Sequence, residues 1–158
     1  MRRWFQPRTA EAHCDIPCGI YDPTTAQIAA ISVARFLDQI AELEPLDSMA
    51  KQAKLARLVA QKEQHAAEVK DAVVVIWGDY FKAPQFEEYP ELHTLTHSIL
   101  MKASATKQEL SVEHGRELVA LVNEFAEIFW KTKGIAVRQV TVAYEPKLTL
   151  AQPIFDEV

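Results

Sequence analysis

Hydrophobic residues recur at helical spacing in four segments of the chain, with polar and charged residues on the opposite side of each segment. Apolar positions three to five residues apart form a stripe along one face of a helix. The first stripe consists of Ile28, Ile31, Phe36, Ile40 and Leu43, and the last consists of Leu118, Leu121, Val122, Phe125, Ile128 and Phe129. Typical helix starts at Asp22-Pro23, Asp47-Ser48 and Ser111, and a typical glycine end at Gly134, bound these segments. The pattern predicts helices over about 22–44 and 47–81, a shorter one from about 92, and one from 111 to 133.

Short connections between four amphipathic helices are typical of an up-and-down four-helix bundle, so the predicted fold class is all-α. Residues 82–90 contain two prolines and are predicted to be irregular. After Gly134, apolar and other residues alternate from Val140 to Tyr144, which predicts a strand or an extended tail. A lone strand has no partner inside a helix bundle. Residues 134–158 are therefore expected to be either mobile or docked on a partner.

Length, charge and hydropathy narrow the class of protein. The chain has 158 residues and is 49% hydrophobic, which suits one domain. Its formal net charge is −5 and no run of Lys or Arg exceeds two residues, so it lacks the charge pattern of a nucleic-acid binder. The longest apolar stretch, residues 72–77, is far below the roughly 20 residues that cross a bilayer. Residues 1–12 have no apolar signal core, so a soluble cytoplasmic protein is expected.

Both cysteines lie in one short stretch, HCDIPCGIYDP, which spans residues 13–23. In a reducing compartment a cysteine pair is more typical of metal binding or redox chemistry than of a structural disulfide. Inert buried thiols and a disulfide are the alternatives, but Asp15, Pro17 and Gly19 make burial of this loop unfavourable. A structural zinc site needs four protein ligands, and no histidine stands at finger spacing from the pair. His93 and His97 lie four residues apart on a predicted helix and are interpreted as surface or packing residues.

A cut between Ala12 and His13 would create a different ligand set. The new α-amine, the Cys14 amide nitrogen and the thiolates of Cys14 and Cys18 could then lie in one plane, with the His13 imidazole approaching axially. A square-planar nitrogen and sulfur set suits Ni(II) or Cu(II) better than zinc. Thiolates also stabilise the higher oxidation state of such a metal. The stretch therefore predicts a one-electron redox centre that is open on one axial side.

The same residues carry a family resemblance. HCDIPCGIYDP resembles the nickel hook of the nickel-containing superoxide dismutases. A second block, WGDYFKAPQFEEYPELH at residues 77–93, is similar to a motif of that family, and IFWKTK at residues 128–133 is similar to its last helix. The resemblance runs from about His13 to Lys133, which divides the chain into a leader (1–12), a hook and bundle domain (13–133) and a C-terminal extension (134–158).

The resemblance implies an enzyme that dismutates superoxide to oxygen and hydrogen peroxide by cycling nickel between Ni(II) and Ni(III). It implies one nickel per chain, with the amine and imidazole of His13, the amide and thiolate of Cys14, and the thiolate of Cys18 as ligands. It also implies a maturation peptidase that removes residues 1–12, and a homohexamer. Removing those residues takes away three arginines and one glutamate, which moves the formal charge from −5 to −7. An anionic substrate would then need a local basic funnel.

Further roles come from the same resemblance. Tyr21 matches a tyrosine that borders the substrate pocket, Tyr80 is positioned to hydrogen-bond it, and Lys82 is a candidate for attracting superoxide. Many family members use a glutamate and an arginine to orient the axial imidazole, and Ala29 and His65 stand at those positions here. His65 is the candidate replacement.

Two other functions remain open from the sequence. The hook could belong to a nickel or copper carrier that performs no redox turnover. Alternatively, the chain could be a helical interaction domain in which the loop from Cys14 to Cys18 forms a regulatory disulfide. Metal content and superoxide turnover separate these possibilities.

Overall fold

The computed structural model describes residues 18–155. The predictions for the leader, for His13 and for Cys14 lie outside these residues. Five α-helices, one π-helical turn and two strands follow one another along the described chain: α1 (Thr24–Ala41), α2 (Met49–Val75), the π turn (Ile76–Tyr80), α3 (Ala83–Glu88), α4 (Leu92–Gln108), α5 (Val112–Thr132), β1 (Val137–Thr141) and β2 (Thr149–Pro153).

The four long helices form a bundle. α1 packs against α2 and α5, and α4 packs against the same two helices. The predicted all-α bundle is confirmed, and so are the predicted helix starts. Asp22 Oδ1 accepts a hydrogen bond of 2.7 Å from the Thr24 N–H, and the Ser48 and Ser111 hydroxyls accept from backbone N–H groups of Lys51 and His114. These side chains satisfy donors that a helix start leaves open.

The core is formed by the apolar stripes that face one another. Its largest apolar members are fully buried aromatic and aliphatic side chains, namely Phe81, Phe125, Phe129, Leu37, Leu92, Ile99 and Leu118. Burying one such side chain stabilises the fold by about 1.5–3 kcal/mol. The core therefore fixes how the helices lie beside one another, and with them the loop that precedes α1.

Among residues 18–155, one charged side chain is buried with the core. Lys62 on α2 is fully buried, and its Nζ donates hydrogen bonds of 3.0 Å to the carbonyl oxygens of Lys107 and Glu109. These carbonyls lie at the C-terminal end of α4, where a cation is favourable. Desolvation lowers the pKa of Lys62. The residue ties α2 to the end of α4.

The π turn ends α2 and sets the direction of the chain that follows. The Phe81 N–H donates to the Ile76 carbonyl over 3.2 Å, which is the hydrogen bond five residues back that defines a π turn. The turn brings Tyr80 and Phe81 onto Phe129 of α5, with ring centroids 4.7 and 6.4 Å away. The prediction of a helical region that extends to about residue 81 is therefore confirmed.

The prediction that residues 82–90 are irregular is wrong in part, because α3 lies within them. Pro84 stands in the first turn of α3, where a missing N–H removes no helical hydrogen bond, and Pro90 follows the end of the helix. The Gln85 side chain accepts a hydrogen bond of 3.0 Å from the Lys82 N–H. Both prolines therefore bound a short helix instead of preventing one.

The C-terminal segment is extended, as predicted, but it contains two strands that pair with each other. β1 and β2 form an antiparallel hairpin in which Val137 pairs with Pro153 and Thr141 with Thr149. The hairpin packs on α5 of its own chain. The expectation that the segment is mobile or docked on a partner is therefore wrong: the second strand, over residues 149–153, lacked the alternation that would have predicted it.

Two polar side chains fasten this hairpin to the bundle. Asn123 Oδ1 accepts from the Ala151 N–H and from Gln27 Nε2, at 3.1 and 3.0 Å. Asn123 Nδ2 donates to the Thr149 carbonyl over 2.7 Å, and Gln27 Nε2 donates to the Ala151 carbonyl over 2.8 Å. Since β2 would otherwise bury unpaired backbone groups, these contacts account for its close approach to α1 and α5.

None of the helices over residues 18–155 combines the length and the hydropathy that a membrane span requires.

Candidate metal centre

Cys18 begins the described chain and lies in the loop before α1. Its side chain is exposed, and its Sγ accepts a hydrogen bond from the Ile20 N–H over 3.4 Å. Gly19 makes this turn possible because its φ of +70° is a backbone conformation that other residues adopt only with strain. The same sulfur also lies 4.0 Å from the Ile20 carbonyl oxygen, to which the thiol donates, so both backbone groups of Ile20 hold this side chain in place.

A cleft opens beside this loop, between the start of α1 and the second half of α2. It has a volume of 340 Å³. Its lining from the loop and α1 consists of Ile20, Tyr21, Asp22 and Thr25, and its lining from α2 and the π turn consists of Glu68, Asp71, Ala72, Val75 and Ile76. The lining therefore combines apolar side chains with three carboxylates, two of which belong to α2.

Tyr21 and Tyr80, the two predicted site tyrosines, are brought together. Their ring centroids are 5.7 Å apart and the rings are inclined at 50°. The Tyr80 hydroxyl lies 2.8 Å from Thr132 Oγ1, which itself donates to the Phe129 carbonyl over 2.7 Å. Because the Thr132 proton is used in that bond, Tyr80 is the donor to Thr132. The two tyrosines are thus in ring contact, and the Tyr80 hydroxyl is held by α5.

Lys133 lies near this pair, and Lys82 follows Tyr80 by two residues along the chain. Lys133 Nζ lies 4.8 Å from the centroid of the Tyr80 ring and 5.1 Å from that of Phe129, at cation–π distance from both. Lys82 is exposed, and its Nζ donates to the Gly78 carbonyl over 3.3 Å. The sequence singled out Lys82 alone. Lys133 was missed because its approach to Tyr80 depends on α5 ending beside the π turn.

Ala29 and His65 stand where the resemblance implies a charged pair. Ala29 is buried within α1. His65 stacks on Phe36 with ring centroids 5.5 Å apart, and its Nδ1 lies 2.6 Å from Glu68 Oε2. The hydrogen bond with His65 is the main cause that lowers the pKa of Glu68, so the carboxylate stays ionised. Glu68 was not singled out from the sequence, although its spacing of three residues from His65 was a readable signal.

Of the two histidines interpreted as surface or packing residues, His93 and His97, the first makes packing contacts. His93 Nδ1 accepts from Trp77 Nε1 over 3.1 Å, and its ring stacks on Phe86 with centroids 4.2 Å apart. Over residues 18–155, no three His, Cys, Asp or Glu side chains are grouped so that they could hold a metal. The described part of the chain therefore supplies Cys18 as a donor, and the further donors of the predicted hook, His13 and Cys14, lie outside it.

The donor chemistry fits nickel. Cys18 has an exposed thiol and follows a second cysteine by four residues and a histidine by five. These residues would supply the soft sulfur and nitrogen donors that suit nickel. The fold and the site define a helical-bundle protein with a thiol-bearing loop before its first helix.

Comparison with known proteins identifies the family. The family model described as nickel-containing superoxide dismutase matches residues 8–133, and the chain belongs to this family. Two curated relatives, both named superoxide dismutase (Ni), come from Streptomyces seoulensis and Streptomyces coelicolor strain A3(2). They are 38% and 39% identical over 134 residues, which is 84% of this chain and 98% of each relative.

Solved structures show the same likeness. A native nickel superoxide dismutase is 40% identical with a TM-score of 0.68, and one whose nickel ligation corresponds to the oxidised state is 39% identical with a TM-score of 0.69. Each match covers 77% of this chain and 99% of the other chain. The C-terminal hairpin begins after residue 133, where the family model ends.

Proposed function

We propose that this chain is a nickel-dependent superoxide dismutase that converts superoxide to oxygen and hydrogen peroxide. The observation that carries the proposal is the Cys18 thiol, turned outward by Gly19 beside a cleft and a tyrosine pair, in a chain of this family. When bound, nickel supplies the one-electron couple that oxidises one superoxide and reduces the next. The comparisons do not favour the carrier, because both curated relatives are named as dismutases.

The proposed ligands are the amine and imidazole of His13, the amide nitrogen and thiolate of Cys14, and the thiolate of Cys18, with one nickel per chain. The amine exists only after the chain is cut before His13, so residues 1–12 are a leader removed by a maturation peptidase. Until that cut, the leader withholds one ligand and prevents premature metal binding. For Cys18, the proposal is supported by the exposure of the thiol and by the N–H of Ile20, which holds the sulfur in place.

The proposed roles of the tyrosines follow from their contacts. Tyr21 lines the cleft next to the hook and limits access of small anions to it. Tyr80 supports the Tyr21 ring from behind, and its own hydroxyl is oriented by Thr132. Lys133 beside the pair and Lys82, two residues after Tyr80, supply positive charge, which favours approach of an anionic substrate.

The test compares three forms of the chain that differ only at their first residue. One begins at Met1, one at Ala12 and one at His13, and all are reconstituted with nickel. We expect about one nickel per chain and rapid superoxide decay in pulse radiolysis from the form that begins at His13 alone. The form that begins at Ala12 is the matched control, because it has a free amine displaced by one residue. Equal activity from all three forms would exclude the amine ligand, and nickel binding without turnover would identify a carrier.

We also propose that the mature chain assembles as a homohexamer in the cytoplasm. The proposal rests on family membership, and light scattering of the form that begins at His13 tests it. A mass of six chains is expected, and a monomer would contradict it.

A further inference from the structure

The two edges of the C-terminal hairpin differ in how their backbone groups are used. The Val142 N–H donates to the Leu148 carbonyl over 3.1 Å, and the Ile154 N–H donates to the Ala136 carbonyl over 2.8 Å. Hydrogen-bonded and non-hydrogen-bonded pairs alternate along an antiparallel ladder, so the even-numbered residues of β1 are the ones that bond to β2. The odd-numbered residues of both strands therefore direct their N–H and C=O groups outward.

On β2, side chains of the bundle take up these outward groups. The Ala151 N–H donates to Asn123, and the Ala151 carbonyl accepts from Gln27. The Thr149 carbonyl also accepts from Asn123, and Pro153 has no N–H. The outer edge of β2 is thus occupied by α1 and α5 of its own chain.

On β1, the outward groups belong to Val137, Gln139 and Thr141. Within residues 18–155, no protein group is hydrogen-bonded to the N–H or C=O of these three residues. Gln139 and Thr141 are exposed, and Val137 is half-buried. Natural edge strands are commonly protected by a lysine, a proline or a bulge, and β1 has none of the three. The edge therefore presents a row of three donors and three acceptors.

A second copy of the same edge is complementary to this row. If two β1 strands meet antiparallel about a two-fold axis at Gln139, this residue lies opposite its own copy, and Val137 lies opposite the partner's Thr141. All of these are then hydrogen-bonded pairs, which gives about six hydrogen bonds and leaves no outward group of the strand unpaired. A two-fold axis is also the commonest symmetry of soluble oligomers.

The side chains of β1 favour this register over its neighbours. An axis at Arg138 would place two arginines directly opposite each other, which is unfavourable. An axis at Val140 would carry Val137 past the end of the partner strand and lose hydrogen bonds. With the axis at Gln139, each Arg138 lies opposite the partner's Val140, whose apolar surface the arginine stem can cover.

We propose that the outer edge of β1 is a self-association surface, through which two copies of this chain pair antiparallel about Gln139 and join their hairpins into one sheet. This surface lies after residue 133, where the match to the family model ends. The inference does not rest on the proposed function. A strand of five residues buries little surface, so the pairing is weak by itself and adds to any contact between the bundles.

Cysteine cross-linking of the full chain tests the pairing. In Gln139→Cys the two introduced thiols face each other across the axis, with Cα atoms about 5.5 Å apart, a distance that a disulfide spans. Arg138→Cys is the matched control, because its two copies lie diagonally, about 7–8 Å apart, which is too far for a disulfide. Both variants keep Cys14 and Cys18, so links through the native thiols appear in both. Mild oxidation with glutathione disulfide is followed by mass spectrometry of the linked peptides.

We expect about tenfold more linked dimer from Gln139→Cys than from Arg138→Cys, with the link between the two copies of position 139. No linked dimer in Gln139→Cys, or equal amounts in the two variants, would overturn the inference.

Amide hydrogen exchange of the unsubstituted chain checks the same pairing without a substitution. The N–H groups of Val137, Gln139 and Thr141 should exchange about threefold more slowly, or slower still, when the protein concentration is raised a hundredfold. The Ala151 N–H is already bonded to Asn123 and should not change. Protection of the three β1 amides without the link at position 139 would assign the edge to a different occupant and would also overturn the inference.

Discussion

Single residues decide how the hook loop is presented. Gly19 turns the backbone at a φ of +70°, and this turn brings the Ile20 N–H to the sulfur of Cys18. The sequence predicted Cys18 as a ligand from its spacing to Cys14. Neither the turn nor the hydrogen bond was readable from the sequence, because both depend on backbone angles that a glycine permits but does not require.

An ion pair between helices gives a prediction about pH at the same scale. Lys102 on α4 forms a salt bridge with Glu117 on α5, and its hydrogen bond is the main cause that lowers the pKa of Glu117 below its usual value of 4.5. A carboxyl whose pKa is lower in the folded state stabilises the fold above its unfolded pKa, and this contribution is lost as the pH falls through the folded pKa. Glu117→Gln should therefore unfold at lower urea concentration at pH 7 and lose less stability between pH 5 and pH 3.

Urea unfolding midpoints at pH 7, 5, 4 and 3 check this expectation. Glu124→Gln is the control, since Glu124 is an exposed carboxylate on the same helix. A Glu117→Gln curve parallel to that of the unsubstituted chain over pH 5 to 3 would contradict the assignment.

At the scale of elements, the approach of α5 to α1 depends on one glycine. A Cβ added to Gly115 would lie 2.9 Å from the Ala34 Cα and 2.9 Å from the Leu37 Cδ1. Alanine in a helix is normally better than glycine by about 1 kcal/mol, but overpacking costs about 1–3 kcal/mol. Because one of the close atoms belongs to the backbone, we expect Gly115→Ala to be destabilising by about 1–2 kcal/mol.

The matched control for Gly115→Ala is Gly78→Ala in the π turn, where an added Cβ would have no neighbour within 4 Å. This variant should be neutral or slightly more stable. Thermal unfolding measures both variants. A Gly115→Ala protein as stable as Gly78→Ala would show that the two helices separate at little cost.

The position of the hairpin depends on polar side chains, and Asn123 makes two of the hydrogen bonds that hold it. Asn123→Ala removes the acceptor of the Ala151 N–H and the donor to the Thr149 carbonyl. Ala151 is buried, and leaving its N–H without a partner costs about 1–3 kcal/mol, while the carbonyl of the exposed Thr149 can bond to water. We expect the hairpin to open locally while the helices stay folded, and trypsin to cut after Lys147, in the hairpin turn, about tenfold faster.

Gln139→Ala is the control for Asn123→Ala, because it removes only the exposed contact between Gln139 and Glu127. Limited proteolysis with mass spectrometry identifies the cut. Equal protection of Lys147 in the two variants would mean that the Gln27 hydrogen bond and the packing on α5 hold the hairpin without Asn123.

At the scale of the whole molecule, the negative net charge of the protein repels superoxide, the proposed substrate. The chain without its first twelve residues has a formal charge of −7, and Asp22, Glu68 and Asp71 line the cleft. Local positive charge is needed for an anion to approach, and Lys133 over Tyr80 supplies it on the α5 side.

We expect Lys133→Gln to lower kcat/KM for superoxide about two- to fivefold at low ionic strength, with the difference disappearing near 0.5 M salt as screening becomes complete. Lys131→Gln is the control, since it makes the same charge change at a lysine paired with Glu127. Pulse radiolysis across a salt series measures both. Identical salt slopes for the two variants would assign the attraction to net charge instead of to Lys133.

Much of the fold was readable from the sequence, element by element. The stripes, the caps at Ser48 and Ser111 and the glycine end at Gly134 gave four helices in the places where the structure has them. The short helix α3 was not predictable from its prolines, because Pro84 and Pro90 stand at its boundaries, where they resemble breaks. The pairing of β1 with β2 was not predictable either, because a strand partner is a non-local property that alternation in one strand cannot specify.

The sequence by itself determined the bundle, the hook stretch and the identity of its candidate ligands, since periodicity, capping and ligand spacing are local features of the chain. Only the tertiary structure decided which side chains meet. It brought Tyr21 against Tyr80, Lys133 over the Tyr80 ring, and the pair of His65 and Glu68 to the edge of the cleft. These contacts join residues whose approach is set by how α1, α2 and α5 pack, and that packing is a property of the whole core.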